Sequence, residues 1–296
     1  MSTLPDHGAA RLPRDVGVRL SHATVQAIAD REGIEVLHIK GPVVDETLRL
    51  ADLRTTGGDV PMQPRGRDSV DADVLVDPDQ AGPLITALGR HGWQLAWDFD
   101  EGSLFAHAAT LQHPFLPHVD VHRWFPGIER DPASAFAILL EGADRVALAE
   151  FPCQVPAMDT HRLILLLHAA RSRRSGGPRD VSKYWTGATA ERQVAVRQLA
   201  ERLDATVALA AAIGELDSVR HHRSYRLWSG LQQAHPTHRE TLMGHLVASR
   251  PREVVPLLAR FLMLNKRRID RERGGAVGLR DTLAAYGTWV SRRVRG

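Results

Sequence analysis

Hydrophobic and polar positions follow one pattern up to about residue 156 and another pattern after it. In the first part, short runs with the two-residue alternation of half-buried strands lie between segments with helical spacing. The strand-like runs are residues 34–39, 72–76, 93–97, 103–110 and 118–125, and the helix-like segments are residues 42–53, 79–90 and 132–142. Strands and helices that alternate in this way predict a mixed α/β arrangement.

From Asp159 onward the pattern predicts helices only. Asp159 or Thr160 can cap a first helix, whose apolar stripe comprises Leu163, Leu166, Leu167 and Ala170. Later helices are predicted at about 189–213, 238–249, 252–265 and 278–292. We therefore predict an α+β fold with a flexible N-terminal tail over residues 1–20, a mixed-sheet domain over 21–156 and a helical C-terminal domain over 157–296.

Composition is typical of a soluble globular protein. The chain has 296 residues, of which 43% are hydrophobic and 25% are charged, and this length suffices for two domains. No apolar run approaches the ~18 residues of a membrane span, and the polar N-terminus lacks the apolar segment of a secretory signal. The single Cys153 excludes an intrachain disulfide. We therefore expect a cytoplasmic protein without membrane contact.

The basic residues concentrate in the second half of the chain, although the net charge is only +3. Basic clusters occur at residues 171–174, 266–268 and 292–295. Such clusters fit a phosphate-rich partner, but on amphipathic helices they are more often solvated faces.

Asp71 and Asp73 lie two residues apart at the head of the apolar strand 72–76. Because side chains alternate faces along a strand, both carboxylates point the same way, away from the face that carries most of the apolar side chains. Two such charges repel each other unless a cation lies between them, and oxygen ligands suit Mg²⁺, with Mn²⁺ as the alternative. An Asp-x-Asp pair also occurs on solvated strand ends, so further residues must support a metal site.

A later strand supplies further polar side chains. His118, Asp120 and His122 share one face of it. Asp120 is a third candidate carboxylate, and its ordinary alternative is a surface aspartate paired with an arginine. Zinc would need a third or fourth convergent ligand beside these residues, and the sequence does not identify one.

Lys40 and Gly41 follow strand 34–39 at a predicted strand-to-helix turn. Lys40 is one of three lysines among 38 basic residues, and a compact ammonium suits a triphosphate. Gly41 would let the backbone approach a phosphate at the N-terminus of the next helix. Arg67 could bind phosphate or pair with a neighbouring aspartate, and the sequence does not separate these roles.

Together these motifs resemble the nucleotidyltransferase superfamily that includes DNA polymerase beta, and more closely a bacterial family of nucleotidyltransferases within it. The resemblance covers about residues 30–180. The matching segments are Lys40-Gly41, Arg67, the Asp-x-Asp strand from Asp71 to Val76, and Val119 to Trp124. Two departures are Ala72, where a larger aliphatic residue is usual, and Arg123, which separates His122 from the aromatic residue.

The resemblance implies a nucleotidyltransferase-type fold and a metal-dependent enzyme. Its catalytic and metal-binding residues would be Asp71, Asp73 and Asp120, and its nucleotide-binding residues would be Lys40, Gly41 and Arg67. Such an enzyme transfers an NMP from an NTP to an acceptor hydroxyl or phosphate and releases pyrophosphate. The acceptor stays open between a small molecule, a protein and an RNA or tRNA, as in toxin-like members of the superfamily. A module that binds nucleotide or RNA without catalysis is the alternative from another class.

The resemblance also touches residues whose roles stay open. It implies that His122 orients Asp120 or packs beneath it. Asp180 matches an aspartate that follows the first helix of the second domain, and it equally fits a helix cap. His168 lies on the apolar-striped helix, where a satisfied core histidine is the commoner case.

Overall fold

The structure is a computed structural model in which residues 12–44, 69–102, 105–171, 177–233, 238–248 and 278 are described. A five-stranded mixed sheet forms the centre of the first half. Its strands are β1 (Val36–Ile39), β2 (Ala72–Val76), β3 (Gln94–Trp97), β4 (Ala108–Gln112) and β5 (Val119–His122). They lie side by side in the order β1-β2-β5-β4-β3.

The central pair of strands, β2 and β5, runs parallel, and the other three pairs run antiparallel. Parallel neighbours require a long crossover connection. Here the crossover contains α2 (Pro78–Arg90), β3, α3 (Phe99–Gly102) and β4. The parallel register sets Asp73 directly beside Asp120, which the sequence alone does not determine.

One strand lies later than predicted. The run 103–110 is replaced by β4, whose Ala108 pairs with His122 and whose Leu111 pairs with Val119. The prediction was wrong at this boundary because pairing with β5, rather than local hydrophobicity, fixes where the strand begins and ends.

The sheet has an apolar core on each of its faces. On one face, valines of β1, β2 and β5 pack against α2 and against a helix that precedes the sheet. On the other face, Leu37, Ile39 and Leu75 join a cluster with α4 (Pro132–Leu140) and with the helices of the second half. This second apolar cluster is therefore continuous across residue 157, the predicted start of the helical domain.

Helix α1 (Arg14–Glu32) precedes the sheet, and the sequence pattern does not predict it. Residues 14–20, assigned to a flexible tail, are helical, and Val18 among them is fully buried. The hydrophobic spacing of α1 is obscured because its buried face includes the polar side chains of His22 and Gln26. A buried face of this composition does not produce the apolar stripe on which helix prediction depends.

A two-stranded hairpin of β6 (Asp144–Leu148) and β7 (Phe151–Val155) also escapes prediction. Its two turn residues, Ala149 and Glu150, both have positive φ, at 47° and 62°. Two-residue hairpin turns of this kind usually carry Asn or Gly. The usual sequence signal of the turn is therefore absent.

The second half of the chain is helical, as predicted. Its elements are α5 (Met158–Arg171), α6 (Gly177–Val181), a π-helical turn (Ser182–Thr186), α7 (Ala190–Arg202), α8 (Thr206–Ile213), a 3-10 turn (Leu216–Val219), α9 (Tyr225–Leu231) and α10 (His238–Ala248). The single helix predicted over 189–213 is divided between α7 and α8. Asp204 adopts a left-handed backbone with φ of 51° between them, and this conformation interrupts a right-handed helix.

The α+β class, with a mixed sheet followed by helices, is confirmed by this architecture. Within the described ranges, no helix combines the length and the apolar character needed to cross a membrane. Several predictions lie outside the described residues: most of helix 42–53, helix 252–265, nearly all of helix 278–292, Arg67, and the basic clusters at 266–268 and 292–295.

Candidate active site

Lys40 occupies a sharp turn at the end of β1. Its backbone has φ of 61°, and Gly41 follows with φ of 53°. A left-handed backbone is costly for a residue with a side chain and often marks functional positions. The backbone N–H of Lys40 donates a hydrogen bond of 3.4 Å to Nε2 of His161, a buried residue of α5. The turn leaves the lysine side chain beside β2.

Asp73 is the most heavily paired residue of this site. Its Oδ1 lies 2.6 Å from Lys40 Nζ and 2.8 Å from His122 Nε2. The Lys40 and Asp73 side chains are only 13% and 6% exposed, so the pair is buried. Burial alone would raise the pKa of Asp73, but the ammonium and the imidazole outweigh burial and hold that pKa well below its ordinary range.

The tautomer of His122 follows from this hydrogen bond. A carboxylate accepts, so His122 donates from Nε2 and keeps its lone pair on Nδ1. Burial, followed by the nearby Lys40 charge, lowers the pKa of His122 to about 4 despite the attraction of Asp73. His122 was expected to orient Asp120 or to pack beneath it. In the structure it instead donates a hydrogen bond to Asp73.

Asp120 has the opposite electrostatic setting. It lies beside Asp73 across the parallel strand pair, and its Oδ1 accepts a hydrogen bond of 2.6 Å from the Thr110 hydroxyl of β4. Burial and then the charge of Asp73 raise the pKa of Asp120 to about 6, and the Thr110 bond only partly opposes this shift. The two adjacent carboxylates therefore differ in how far the protein itself neutralises them.

The side chains of Asp73, Asp120 and His122 offer ligand atoms that all lie within 4.8 Å of one another. Two carboxylates and an imidazole form a donor set that divalent metals accept. Burial first, and then repulsion from Asp73, raises the pKa of Asp120, and a bound cation would offset both effects. The donor set thus fits a divalent metal. In the present tautomer, however, His122 Nε2 carries a proton and donates it in a hydrogen bond to Asp73, so this nitrogen is not a ligand.

Asp71 lies at the edge of this group. The group of ligand atoms just described does not include it, and its Oδ1 lies 3.3 Å from the Ser69 hydroxyl. Burial and then the neighbouring Asp73 raise the pKa of Asp71. A Cβ added at Gly41 would lie 3.0 Å from Ser69. The glycine turn and the segment that leads to Asp71 therefore approach each other closely.

Three residues next to the site were not assigned to it from the sequence, although Arg171 belongs to the basic cluster 171–174. Thr110 faces Asp120 from β4, and its position depends on strand register. The His107 ring lies 5.2 Å from the His122 ring, centroid to centroid. Arg171, at the end of α5, lies 3.2 Å from His107 Nε2. Only the folded arrangement brings these three residues together.

Other predicted residues lie elsewhere or stay untested. His118 precedes β5 and does not join the metal-type group of the described residues. His168 is half-buried on α5, and Asp180 is buried in α6, at 8% exposure.

Comparison with protein-family models gives no match, and comparison with the sequences of curated proteins gives none either. Among solved structures, the chain is similar to the antibiotic-resistance factor ANT(2'')-Ia, with a TM-score of 0.38, 14% identity, and coverage of 71% of this chain and 97% of that one. It is also similar to an antigenic nucleotidyltransferase-like protein from Paracoccidioides brasiliensis, with a TM-score of 0.36, 15% identity, and coverage of 70% and 97%. Both likenesses are distant, so the functional argument rests on the residues of the site.

Proposed function

We propose that the protein is a metal-dependent nucleotidyltransferase, which transfers an NMP from an NTP to an acceptor hydroxyl or phosphate and releases pyrophosphate. The observation that carries the proposal is the position of Asp73 and Asp120, side by side on neighbouring parallel strands with Lys40 next to them. Lys40 supplies a cation to Asp73, but Asp120 has only the Thr110 hydroxyl, so a bound cation would stabilise the pair. Phosphates are the substrates on which carboxylate-held cations commonly act. The motif resemblance described above points to the same chemistry.

The residues proposed to hold the cation are Asp73 and Asp120, with Asp71 close to them. Mg²⁺ suits this oxygen-rich set, and Mn²⁺ is the alternative. When bound, such an ion offsets the charge on phosphate oxygens and lowers the pKa of a coordinated hydroxyl.

The protein side chains would divide the remaining work. Lys40 and His122 keep Asp73 ionised and fix its Oδ1. Thr110 binds Oδ1 of Asp120, which leaves Oδ2 as the oxygen that can accept the proton of the acceptor hydroxyl. Lys40 and the Gly41 turn lie where the phosphates would bind, and Arg67 remains a candidate for the same role.

The decisive experiment is a thermal-shift assay with each of the four NTPs, with Mg²⁺ and with EDTA. A ligand that binds only the folded protein raises its melting temperature, so we expect an increase with at least one NTP that requires the metal. Asp73→Asn should abolish this increase. Asp79→Asn, at an exposed position of α2, is the matched control and should retain it. A wild-type protein with no metal-dependent shift for any NTP would contradict the proposal.

The acceptor can be sought with an alpha-labelled NTP. Transfer to RNA or tRNA would place the label in the polynucleotide, and RNA affinity should then fall steeply with salt because bound phosphates release counterions. Label in a small molecule or a protein would identify the other acceptor classes. Metal-dependent NTP binding without transfer to any acceptor would instead indicate a binding module.

A further inference from the structure

Arg171, the last residue of α5, lies among aromatic rings beside the candidate active site. Its guanidinium carbon is 5.6 Å from the centroid of the Phe105 ring and 5.5 Å from that of Phe125. Its Nη1 is 3.2 Å from His107 Nε2. A guanidinium always donates, so His107 accepts at Nε2 and is neutral. Burial and then the charge of nearby His122 lower the pKa of His107 to about 2, in agreement with a neutral ring.

Among the described residues, no carboxylate lies within ion-pair distance of Arg171, although its side chain is largely buried. Several other arginines bind a carboxylate oxygen at 2.6–2.9 Å: Arg90, Arg192, Arg197, Arg202, Arg220 and Arg223. The Nε of Arg171 is buried and has no hydrogen-bond partner in the described part of the chain. An unpaired buried charge is costly, and such groups usually pair with an anion.

The charge of Arg171 persists at neutral pH. Burial lowers the pKa of Arg171 to about 10, against the attraction of Asp73. Arg171 is also partly accessible, so a ligand can reach the side chain. Arg171 is therefore a cation for which the described part of the chain supplies no ion-paired carboxylate.

Arg171 and Lys40 share one neighbour, the ring of Phe125. Lys40 Nζ lies 6.0 Å from the centroid of that ring, and the Arg171 guanidinium lies 5.5 Å from it. His107 links Arg171 to His122, which binds Asp73. Both cations thus adjoin the carboxylate group, Lys40 with a partner and Arg171 without one.

We infer that Arg171 binds a phosphate of the nucleotide triphosphate chain, at the side of the site next to Lys40. His107 binds Nη1, which leaves Nη2 and Nε as the donors for phosphate oxygens. Nε is buried in this structure, so the two-bond contact that arginine makes with phosphate also requires the guanidinium to turn until Nε is accessible. The inference rests on the proposed function, since it assigns an anchor for the triphosphate of that reaction. It also gives a role to the first residue of the basic cluster 171–174.

The test compares Arg171→Gln and Arg171→Lys with Arg197→Gln. Arg197 is the matched control because it also stacks on an aromatic ring, at 4.8 Å from the Trp185 centroid, but pairs with Glu215. The affinities of inorganic tripolyphosphate, of the NTP and of the matching nucleoside are measured by calorimetry in Mg²⁺. We expect Arg171→Gln to weaken tripolyphosphate and NTP binding about 10- to 100-fold. Arg171→Lys should lose less, and nucleoside affinity should not change.

Several outcomes would overturn the inference. Unchanged tripolyphosphate affinity in Arg171→Gln would remove Arg171 from the phosphate site, and an equal loss for nucleoside and tripolyphosphate would indicate a packing role. If Arg171→Gln does not fold, Arg171→Lys is the test. If Arg171→Lys keeps the turnover and the tripolyphosphate affinity of the wild type, the two-bond contact with phosphate is excluded. The proposed function fails separately, when wild type binds tripolyphosphate through Arg171 yet releases no pyrophosphate with any acceptor.

Discussion

The two faces of the central sheet both bury histidines, but they treat charge differently. On the face that packs against α1, His38 of β1 lies 2.8 Å from His22, Nδ1 to Nδ1, and 3.0 Å from Gln26 Oε1 through its Nε2. On the other face, His122 of β5 lies next to a lysine and two carboxylates. We call these the α1 face and the carboxylate face.

On the α1 face the hydrogen bonds run in one direction. Gln26 Oε1 accepts from His38 Nε2, so His38 accepts from His22 at Nδ1, and both rings are neutral. Burial lowers the pKa of His22 to about 4 and that of His38 well below its ordinary value. The Nε2 of Gln26 in turn donates a hydrogen bond of 2.8 Å to Oδ1 of Asp30. This face thus buries polar groups in uncharged forms.

The carboxylate face retains full charges, and the protein neutralises only some of them. Asp73 has Lys40 and His122, whereas Asp120 has a hydroxyl and a raised pKa. This contrast between uncharged polar groups and partly compensated charges distinguishes a structural polar network from a candidate ligand site when both are buried. Charge that the protein does not compensate, more than burial of histidines, marks the carboxylate face as the candidate ligand site.

The largest expected effect concerns catalysis on the carboxylate face. Asp120→Asn keeps the size of the side chain and its acceptor for Thr110, but removes the charge. We expect turnover to fall about 10²- to 10⁴-fold, the usual contribution of a positioned base, while NTP affinity changes only a few-fold. Steady-state kinetics and calorimetry give the two values. Unchanged turnover would exclude Asp120 from the site.

The next effect concerns the stability of the metal-free protein. Asp73→Ala leaves Lys40 buried without its partner, so we expect a loss of about 3 to 5 kcal/mol in the free energy of unfolding. The double variant Lys40→Met/Asp73→Leu removes both charges and should recover most of this loss. Urea titrations in EDTA measure all three proteins. If Asp73→Ala is as stable as the wild type, the ion pair between Lys40 and Asp73 contributes little to stability.

A smaller effect is expected on the α1 face. His38→Leu removes the hydrogen bonds to His22 and Gln26, and we expect it to cost about 1 to 3 kcal/mol of stability. Turnover per folded molecule should stay at the wild-type value because His38 points away from the carboxylate face. Activity measured against the folded fraction checks this. A specific loss of turnover would mean that the two faces are coupled.

The last effect depends on pH and disappears in acid. The pKa of Asp120 in the folded protein is about 6, above its ordinary value of 3.8, so its ionised form costs stability above pH 6 and the cost fades as pH falls to that ordinary value. Metal-free Asp120→Asn should therefore be more stable than wild type by about 3 kcal/mol at about pH 8, and nearly equal to it near pH 4. Melting curves across this range test the sign. If the stability advantage of Asp120→Asn grows as the pH falls, the pKa of Asp120 is not raised in the folded protein.

The sequence predicts the five strands of the central sheet, one of them with wrong bounds, and it selects the candidate carboxylates, because both inferences depend on local spacing. The alternation around Asp73 and around Asp120 indicates two strands with polar side chains on one face. It does not determine that these strands are parallel neighbours, or that Lys40 pairs with Asp73, since both depend on the order of strands in the sheet. Arg171 could not be selected from its basic cluster because its distinction is its folded environment, in which no described carboxylate lies within ion-pair distance.

Helix α1 and the β6–β7 hairpin were not predicted from the sequence, each for a physical reason. Helix α1 buries polar side chains that bind β1, so its pattern differs from that of an apolar stripe. The turn at Ala149 and Glu150 adopts positive φ without the residues that favour it.

The parallel pairing of β2 and β5 bears on how the molecule folds. Asp73 and Asp120 come together only when the whole crossover through α2, β3, α3 and β4 has closed, and closing a long segment costs entropy before its contacts form. The closed crossover places two like charges side by side, so their repulsion opposes the closure. A cation that binds both carboxylates would favour the closed crossover, and metal would act on the assembly of the sheet as well as on its chemistry.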